Sequence, residues 1–230
     1  MARIRTDVAQ ACEARERSPD EVAILPVTKS VGINEIKSLL DLGIAEFGES
    51  RAQQLVQRAE ELSAYLQRRR SELPTPVRWH MVGHLQRNKA KQVLASADVL
   101  HSLDSLRLAE ELNARAEKME RTVDVFLQVN CSEEPQKSGC AVGAAAHLCE
   151  TICTLRQLRL VGLMTIAPLS ADPEGARPSF VRLREIFQEM RGDGIGGEDF
   201  RHLSMGMSQD YKIAVEEGAT VLRIGTALFQ

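Results

Sequence analysis

The chain has 230 residues, 43% of them hydrophobic and 27% charged, with a formal net charge of -3 at pH 7. That is ordinary globular usage, and the small acidic excess excludes a general electrostatic attraction to nucleic acid. No stretch has the length and apolarity of a membrane span, and residues 1–17 are charged and lack the apolar core of a secretory leader, so a cytoplasmic protein is expected.

The first segment, residues 2–17, has helical composition. Beyond it, apolar or β-branched runs at 23–28, 44–47, 78–82, 99–102, 123–129, 160–165, 202–205 and 221–224 read as strands. They alternate with helical spacing at 34–42, 51–68, 86–94, 105–120, 143–155, 178–191 and 209–217. In 105–120, Leu106, Ala109, Leu112 and Ala116 fall on one face. Punctuation agrees: Gly32-Ile33-Asn34 and Asp104 stand where helix caps belong, and Gly43 where a helix stops. Eight β/α steps without a linker predict an α/β fold, a single (β/α)8 TIM barrel with an additional N-terminal helix, in one domain spanning 1–230. The connections 73–77 and 169–177 are expected to be loops, and Arg68-Arg69-Arg70, followed by Glu72, a solvated surface run.

The five cysteines, Cys12, Cys131, Cys140, Cys149 and Cys153, form no C-x-x-C pair and read as reduced thiols. His147 and Cys149 are two apart and would point in different directions on a helix, so no metal site is expected.

Chemistry concentrates at two places. Residues 202–229 hold two short strands, each running into a turn of glycine and small hydroxylated residues, which is the composition of a phosphate cradle. In parallel barrels the loops after strands seven and eight commonly bind phosphate. Ser204, Ser208, Gly225 and Thr226 are the candidates; their structural alternative is a set of turn residues and helix caps. Near the other end, the apolar run from Ala23 ends in Thr28-Lys29-Ser30, which places Lys29 at the carboxyl end of the first strand. A partly buried lysine there can form an imine with an aldehyde, and the alternative is an ordinary surface lysine. Gly192-Asp193-Gly194-Ile195-Gly196-Gly197 satisfies G-x-G-x-x-G but follows a helical pattern, so it is read as a helix stop and not as a dinucleotide fingerprint.

Lys29, Phe47-Gly48-Glu49-Ser50-Arg51, the span from Trp79 through His80 and His84 to Asn88-Lys89, and Ser204-Met205-Gly206-Met207-Ser208 occur in an order that closely resembles the pyridoxal phosphate homeostasis protein family. Its members look like the barrel domain of alanine racemase standing alone. The resemblance implies pyridoxal 5′-phosphate as cofactor, a covalent aldimine on Lys29, Arg223 facing the pyridine nitrogen, and no metal. A structural ion-pair role is the alternative for Arg223. It further implies buffering or delivery of the cofactor to dependent apoenzymes, without efficient catalysis and with neither nucleic acid nor membrane as partner. Serine stands at position 50, where the family usually has asparagine. Lys137 matches a family pattern in the loop after strand five, while His80 and His84 carry no assigned role. An amino-acid racemase using the same aldimine is the main rival, and a sugar-phosphate aldolase a more distant one. Against the racemase, the only tyrosines, Tyr65 and Tyr211, are expected on helices away from Lys29, and the sequence ends directly after the last barrel segment.

Overall fold

The computed structural model describes residues 1–68 and 76–229. Arg69, Arg70 and Glu72 of the basic run, and most of the 73–77 connection, lie outside the described residues. Eight strands follow one another in the order expected: β1 Ala23–Pro26, β2 Glu46–Glu49, β3 Arg78–Met81, β4 Val99–Leu103, β5 Val123–Gln128, β6 Leu158–Met164, β7 His202–Ser204 and β8 Val221–Ile224. They form one parallel sheet in the order β1-β8-β7-β6-β5-β4-β3-β2. The ring is closed by a parallel bridge between Val27 and Gly48, where the Thr28 N–H donates to the Gly48 carbonyl at 2.9 Å. This is a (β/α)8 barrel.

Helices α1 Ala2–Glu13, α2 Ile33–Asp41, α3 Ala52–Arg68, α4 Ala90–Leu94, α5 Leu106–Lys118, α6 Ala145–Cys153, α7 Arg177–Gly192, α8 Tyr211–Glu216 and α9 Thr226–Phe229 surround the strands. The longer ones bury a stripe at helical spacing, whereas α9 buries no residue. In α1 the stripe is Ile4, Val8, Ala11 and Cys12; in α7, Phe180, Leu183, Phe187 and Met190. In α5 the buried face is Leu108, Ala109, Leu112 and Ala116, whereas Leu106 is exposed. The N-terminal helix is present as expected and docks on α8. Tyr211 donates its hydroxyl proton to Asp7 at 2.5 Å, and Lys212 pairs with the same carboxylate at 2.8 Å.

Three details of punctuation are informative. Gly43 has a φ of 81° and follows α2 as a left-handed stop, its N–H returning to Leu40. The backbone N–H of Gly32 donates to the Glu35 carboxylate at 3.0 Å. Asp104 does not cap α5: Ser105 is the residue before the helix, and Asp104 lies 3.4 Å from His84.

Strand alternation divides the side chains into two sets. Trp79, Met81, Leu100, Leu103, Val125, Leu127, Leu203 and Leu222 face the helices and build the principal core. The opposite face carries the small apolar clusters Leu25, Val27 and Val82, and Val99, Phe126, Val161 and Met164, interspersed with His80, His101, Ser204 and Arg223. At the amino-terminal mouth an ion network joins Arg78 to Glu46 at 3.6 Å and to Asp124 at 3.0 Å, and Arg159 to Asp124 at 2.7 Å. The opposite mouth is where the candidate residues emerge.

Gly206 follows β7 with a φ of 92°, and a Cβ there would lie 2.5 Å from Cβ of Ala214. Gly206→Ala combines left-handed strain with overpacking, so a loss of about 2–4 kcal/mol is expected. Urea unfolding of the two proteins measures it, and an unchanged midpoint would refute this account of the turn.

Candidate active site

Lys29 stands in a turn that begins where β1 ends. The Val27 N–H still donates to Ile224 on β8 at 2.7 Å, and the Thr28 hydroxyl donates to Glu49 at 2.5 Å. Arg58, on α3, donates to the carbonyls of Thr28 and Val31 and pairs with Glu49. The backbone on both sides of Lys29 is therefore fixed by one guanidinium. Glu49 is fully buried at the end of β2, where it serves this cluster; it does not begin the following helix. Lys29 itself is exposed at the cavity mouth, where the sequence reading expects partial burial.

The two small-residue turns meet at the same end. After β7 the chain reverses at Gly206, whose carbonyl accepts from the Arg223 N–H at 3.0 Å, and the Met207 N–H donates to Asp210 at 2.6 Å. The Ser208 hydroxyl oxygen accepts from the Ala227 N–H at 3.1 Å, tying the turn after β7 to the turn after β8. Its proton remains available to an anion.

Lys29, Ser208, Arg223, Gly225 and Thr226 all line one cavity of about 770 Å³, with Ser50, Gly83 and Met207 in its wall. Ser204 does not line it. That hydroxyl is fully buried inside the barrel, 2.7 Å from Arg223 Nη1 and 2.8 Å from His101 Nδ1. As the last residue of β7 it still points inward, so its oxygen is committed to the guanidinium and not to the turn. A separate depression of about 440 Å³ along α7, lined by Arg184, Phe187 and Arg191, holds none of the candidate residues.

Charge in the cavity is unbalanced. Arg3, Lys29, Lys137 and Arg223 face Asp210, which favours an anionic ligand. Arg223 is 4% exposed and donates from Nη1 to Ser204 and from Nη2 to the Thr165 carbonyl at 2.8 Å. Burial lowers its pKa to about 10, opposed by Asp210, so the guanidinium stays charged at neutral pH. Asp210 is itself raised by burial, against the pull of the Met207 N–H and Arg223. Lys137 reaches the wall from the loop after β5 and pairs with Glu134 at 2.5 Å.

Other motif residues are not brought to the cavity. His84 is exposed beside Asp104, and Asn88 and Lys89 belong to a short 3-10 turn before α4. His80 is buried against His101 at 3.0 Å. His101 and Arg58 were both missed by sequence reading, although His101 occupies an inward position of β4.

The arrangement defines an anion-binding barrel with a solvent-reachable amine and a buried guanidinium at one mouth. Residues 8–230 match the family described as alanine racemase, N-terminal domain. A protein of Aquifex aeolicus named pyridoxal phosphate homeostasis protein is 34% identical over 229 residues, covering 100% of this chain and 95% of its own length. Among solved structures, an unknown protein from Bifidobacterium adolescentis superposes with a TM-score of 0.90 at 36% identity, covering 99% of this chain and 92% of that one. PipY of Synechococcus elongatus, crystallised with PLP bound, superposes at 0.81 with 30% identity, covering 97% of this chain and all of that one. The chain belongs to the pyridoxal phosphate homeostasis proteins within the alanine racemase N-terminal domain family.

His101 is fully buried, and burial holds its pKa well below 6.5, with His80, Arg223 and His202 acting in the same direction. Below about pH 6.5 the unfolded chain therefore takes up a proton that the native ring refuses. Stability should fall on acidification through this window by up to about 1.4 kcal/mol per pH unit for this ring. Denaturation between pH 7.5 and 5.5 reads the slope, which His101→Phe should flatten; an identical slope in that variant would refute the assignment.

Proposed function

We propose that residues 1–230 act as one domain that binds pyridoxal 5′-phosphate covalently through Nζ of Lys29. Its role is to buffer the cofactor in the cytoplasm or deliver it to dependent apoenzymes, without efficient turnover. The observation that carries this reading is the convergence of Lys29, Arg223, Ser208, Gly225 and Thr226 on one cavity. The names of the relatives, and the PLP held by PipY, support it.

The donor set fits the group. Ser208 and Thr226 offer hydroxyls, and Gly225 offers close backbone approach, to a phosphate. Arg223, anchored on the barrel wall, has further N–H groups for a pyridine nitrogen and cannot give up a proton to it. The cofactor supplies an aldehyde that condenses with a primary amine and loses water. What the chain contributes is the position of that amine: Arg58, Glu49 and Thr28 fix the turn, and the side chain beyond it reaches solvent.

The racemase reading requires an acid/base group opposite Lys29 to complete proton transfer across a bound amino acid. Neither tyrosine supports it. Tyr211 is 5% exposed with its hydroxyl on Asp7, and burial, reinforced by that carboxylate, raises its pKa to about 12; Tyr65 lies beneath Lys37 on the outer helices.

Borohydride reduction of the cofactor-loaded protein, followed by digestion and mass spectrometry, should place the label on Lys29, and Lys29→Ala should abolish the visible band. A label found chiefly on Lys137 or Lys89, with the band intact in Lys29→Ala, would overturn the assignment. Pyridoxal without its phosphate should bind at least about tenfold more weakly, the loss expected for charge-assisted hydrogen bonds to the anion.

Incubation of the loaded protein with L-amino acids in deuterated water should give negligible α-deuterium exchange. Rapid exchange accompanied by the D-enantiomer, and lost in Lys29→Ala, would instead establish the racemase.

A further inference from the structure

Five inward-facing side chains from five strands form a polar row across the barrel interior. Arg223 Nη1 on β8 lies 2.7 Å from the Ser204 hydroxyl on β7, which lies 2.8 Å from His101 Nδ1 on β4. His101 Nε2 lies 3.0 Å from His80 Nδ1 on β3, and His80 Nε2 lies 3.4 Å from Glu46 Oε2 on β2. The row runs from the floor of the cavity to the ion network at the opposite mouth. From this geometry we infer that Ser204 and His101 are positioning residues for Arg223. They hold it through a one-way chain of hydrogen bonds, directed from Arg223 toward Glu46, in which both imidazoles carry their single proton on Nε2.

The direction follows from the end of the chain that has no choice. A guanidinium only donates, so Ser204 accepts from Arg223. The serine proton then finds its partner in Nδ1 of His101, which must be bare. The proton of His101 is on Nε2, His80 accepts it at Nδ1, and the proton of His80 faces the Glu46 carboxylate. That last contact is too poorly aligned to count as a hydrogen bond, but it turns the positive end of an N–H dipole toward the carboxylate. The reverse direction would aim two donors at one serine oxygen and leave the serine proton without a described partner. It would also either turn the bare Nε2 of His80 toward the Glu46 carboxylate or place a second proton on buried His80.

The surroundings agree with a neutral chain. His101 stacks on Phe126 at 4.3 Å and faces His80 and Ser204, with Arg223 and His202 as neighbouring basic groups that disfavour another positive charge. His80 faces His101 and Glu46; Glu46 also meets Arg78, which pairs with Asp124. Arg223 is thereby gripped from inside the barrel at Ser204 and Thr165, leaving its remaining N–H groups for the cavity. Only this consequence for ligand binding rests on the proposed cofactor role.

Long-range ¹H–¹⁵N correlation spectra of the histidine-labelled, ligand-free protein test the chain directly. The expected result between pH 5.5 and 8.5 is a His101 ring protonated at Nε2 alone throughout. Protonation at Nδ1, or titration near pH 6.5, would overturn the inference. For the positioning role, Ser204→Ala should weaken pyridoxal 5′-phosphate binding by about tenfold, and Ser204→Thr, which retains the hydroxyl, should restore most of it. Equal affinity of Ser204→Ala and the parent would refute that role. Failure of the parent to bind the cofactor would overturn the proposed function, while the spectra, recorded without ligand, would still decide the tautomers.

Discussion

Parallel pairing of the first and last strands is the constraint on which the site depends. Leu25 lies beside Arg223 and Pro26 beside Ile224, and the Val27 N–H extends the ladder to the Ile224 carbonyl. Parallel strands send their following loops to the same end, so this register sets the Lys29 turn next to Gly225 and Thr226. The position of a Cβ on Gly225 would be 3.4 Å from the Val27 carbonyl, which shows how closely the two strand ends approach. The Val27–Gly48 bridge then brings the end of β2, with Ser50 and Glu49, to the other flank of Lys29. A chain that failed to close would separate the amine from the hydroxyl turns even if every helix formed.

Closure also creates an electrical problem. The interior receives a guanidinium that burial disfavours, and a buried charge left without partners is strongly destabilising. Arg223 is accommodated by a serine hydroxyl, a backbone carbonyl and the nearby carboxylate of Asp210. None of these bonds consumes the whole donor fork. With Lys29, Lys137 and Arg3 on the same wall, the cavity retains an excess of positive charge for an anion to offset.

The architecture was legible because it rests on periodicity. Strand β8 was read at its observed bounds, and the other strands within about two residues at either end, since apolar runs bounded by turns report burial directly. Lys29, Ser208, Gly225 and Thr226 were legible as residues beyond strand ends, where a barrel places its chemistry. Ser204 was misplaced because composition does not separate the last residue of a strand from the first of a turn; alternation does, since Ser204 shares the inward face with His202. The same alternation puts His80, His101 and Arg223 inside, a signal that was present but weak in each strand taken alone. Arg58 was invisible for a different reason. In sequence it is one more charge on an amphipathic helix, and only the tertiary approach of α3 to the β1 turn reveals that it grips two carbonyls. The four-residue α9 is too short to show a period.

The two ends of the cavity are anchored differently, and this division fits the carrier role proposed above. Arg223 is buried and hydrogen-bonded within the strand layer, while Lys29 is anchored through its backbone and extends an exposed side chain from a clamped turn. In the proposed role an anchored polar floor would preserve recognition of the ring, since a fixed donor needs little reorganisation when the ligand arrives. In that proposal a reachable amine would keep the covalent link open to water and to competing amines. An enzyme gains from excluding water around such a link, because seclusion prevents side reactions. A carrier gains from the opposite arrangement, in which the linkage stays within reach of whatever releases it.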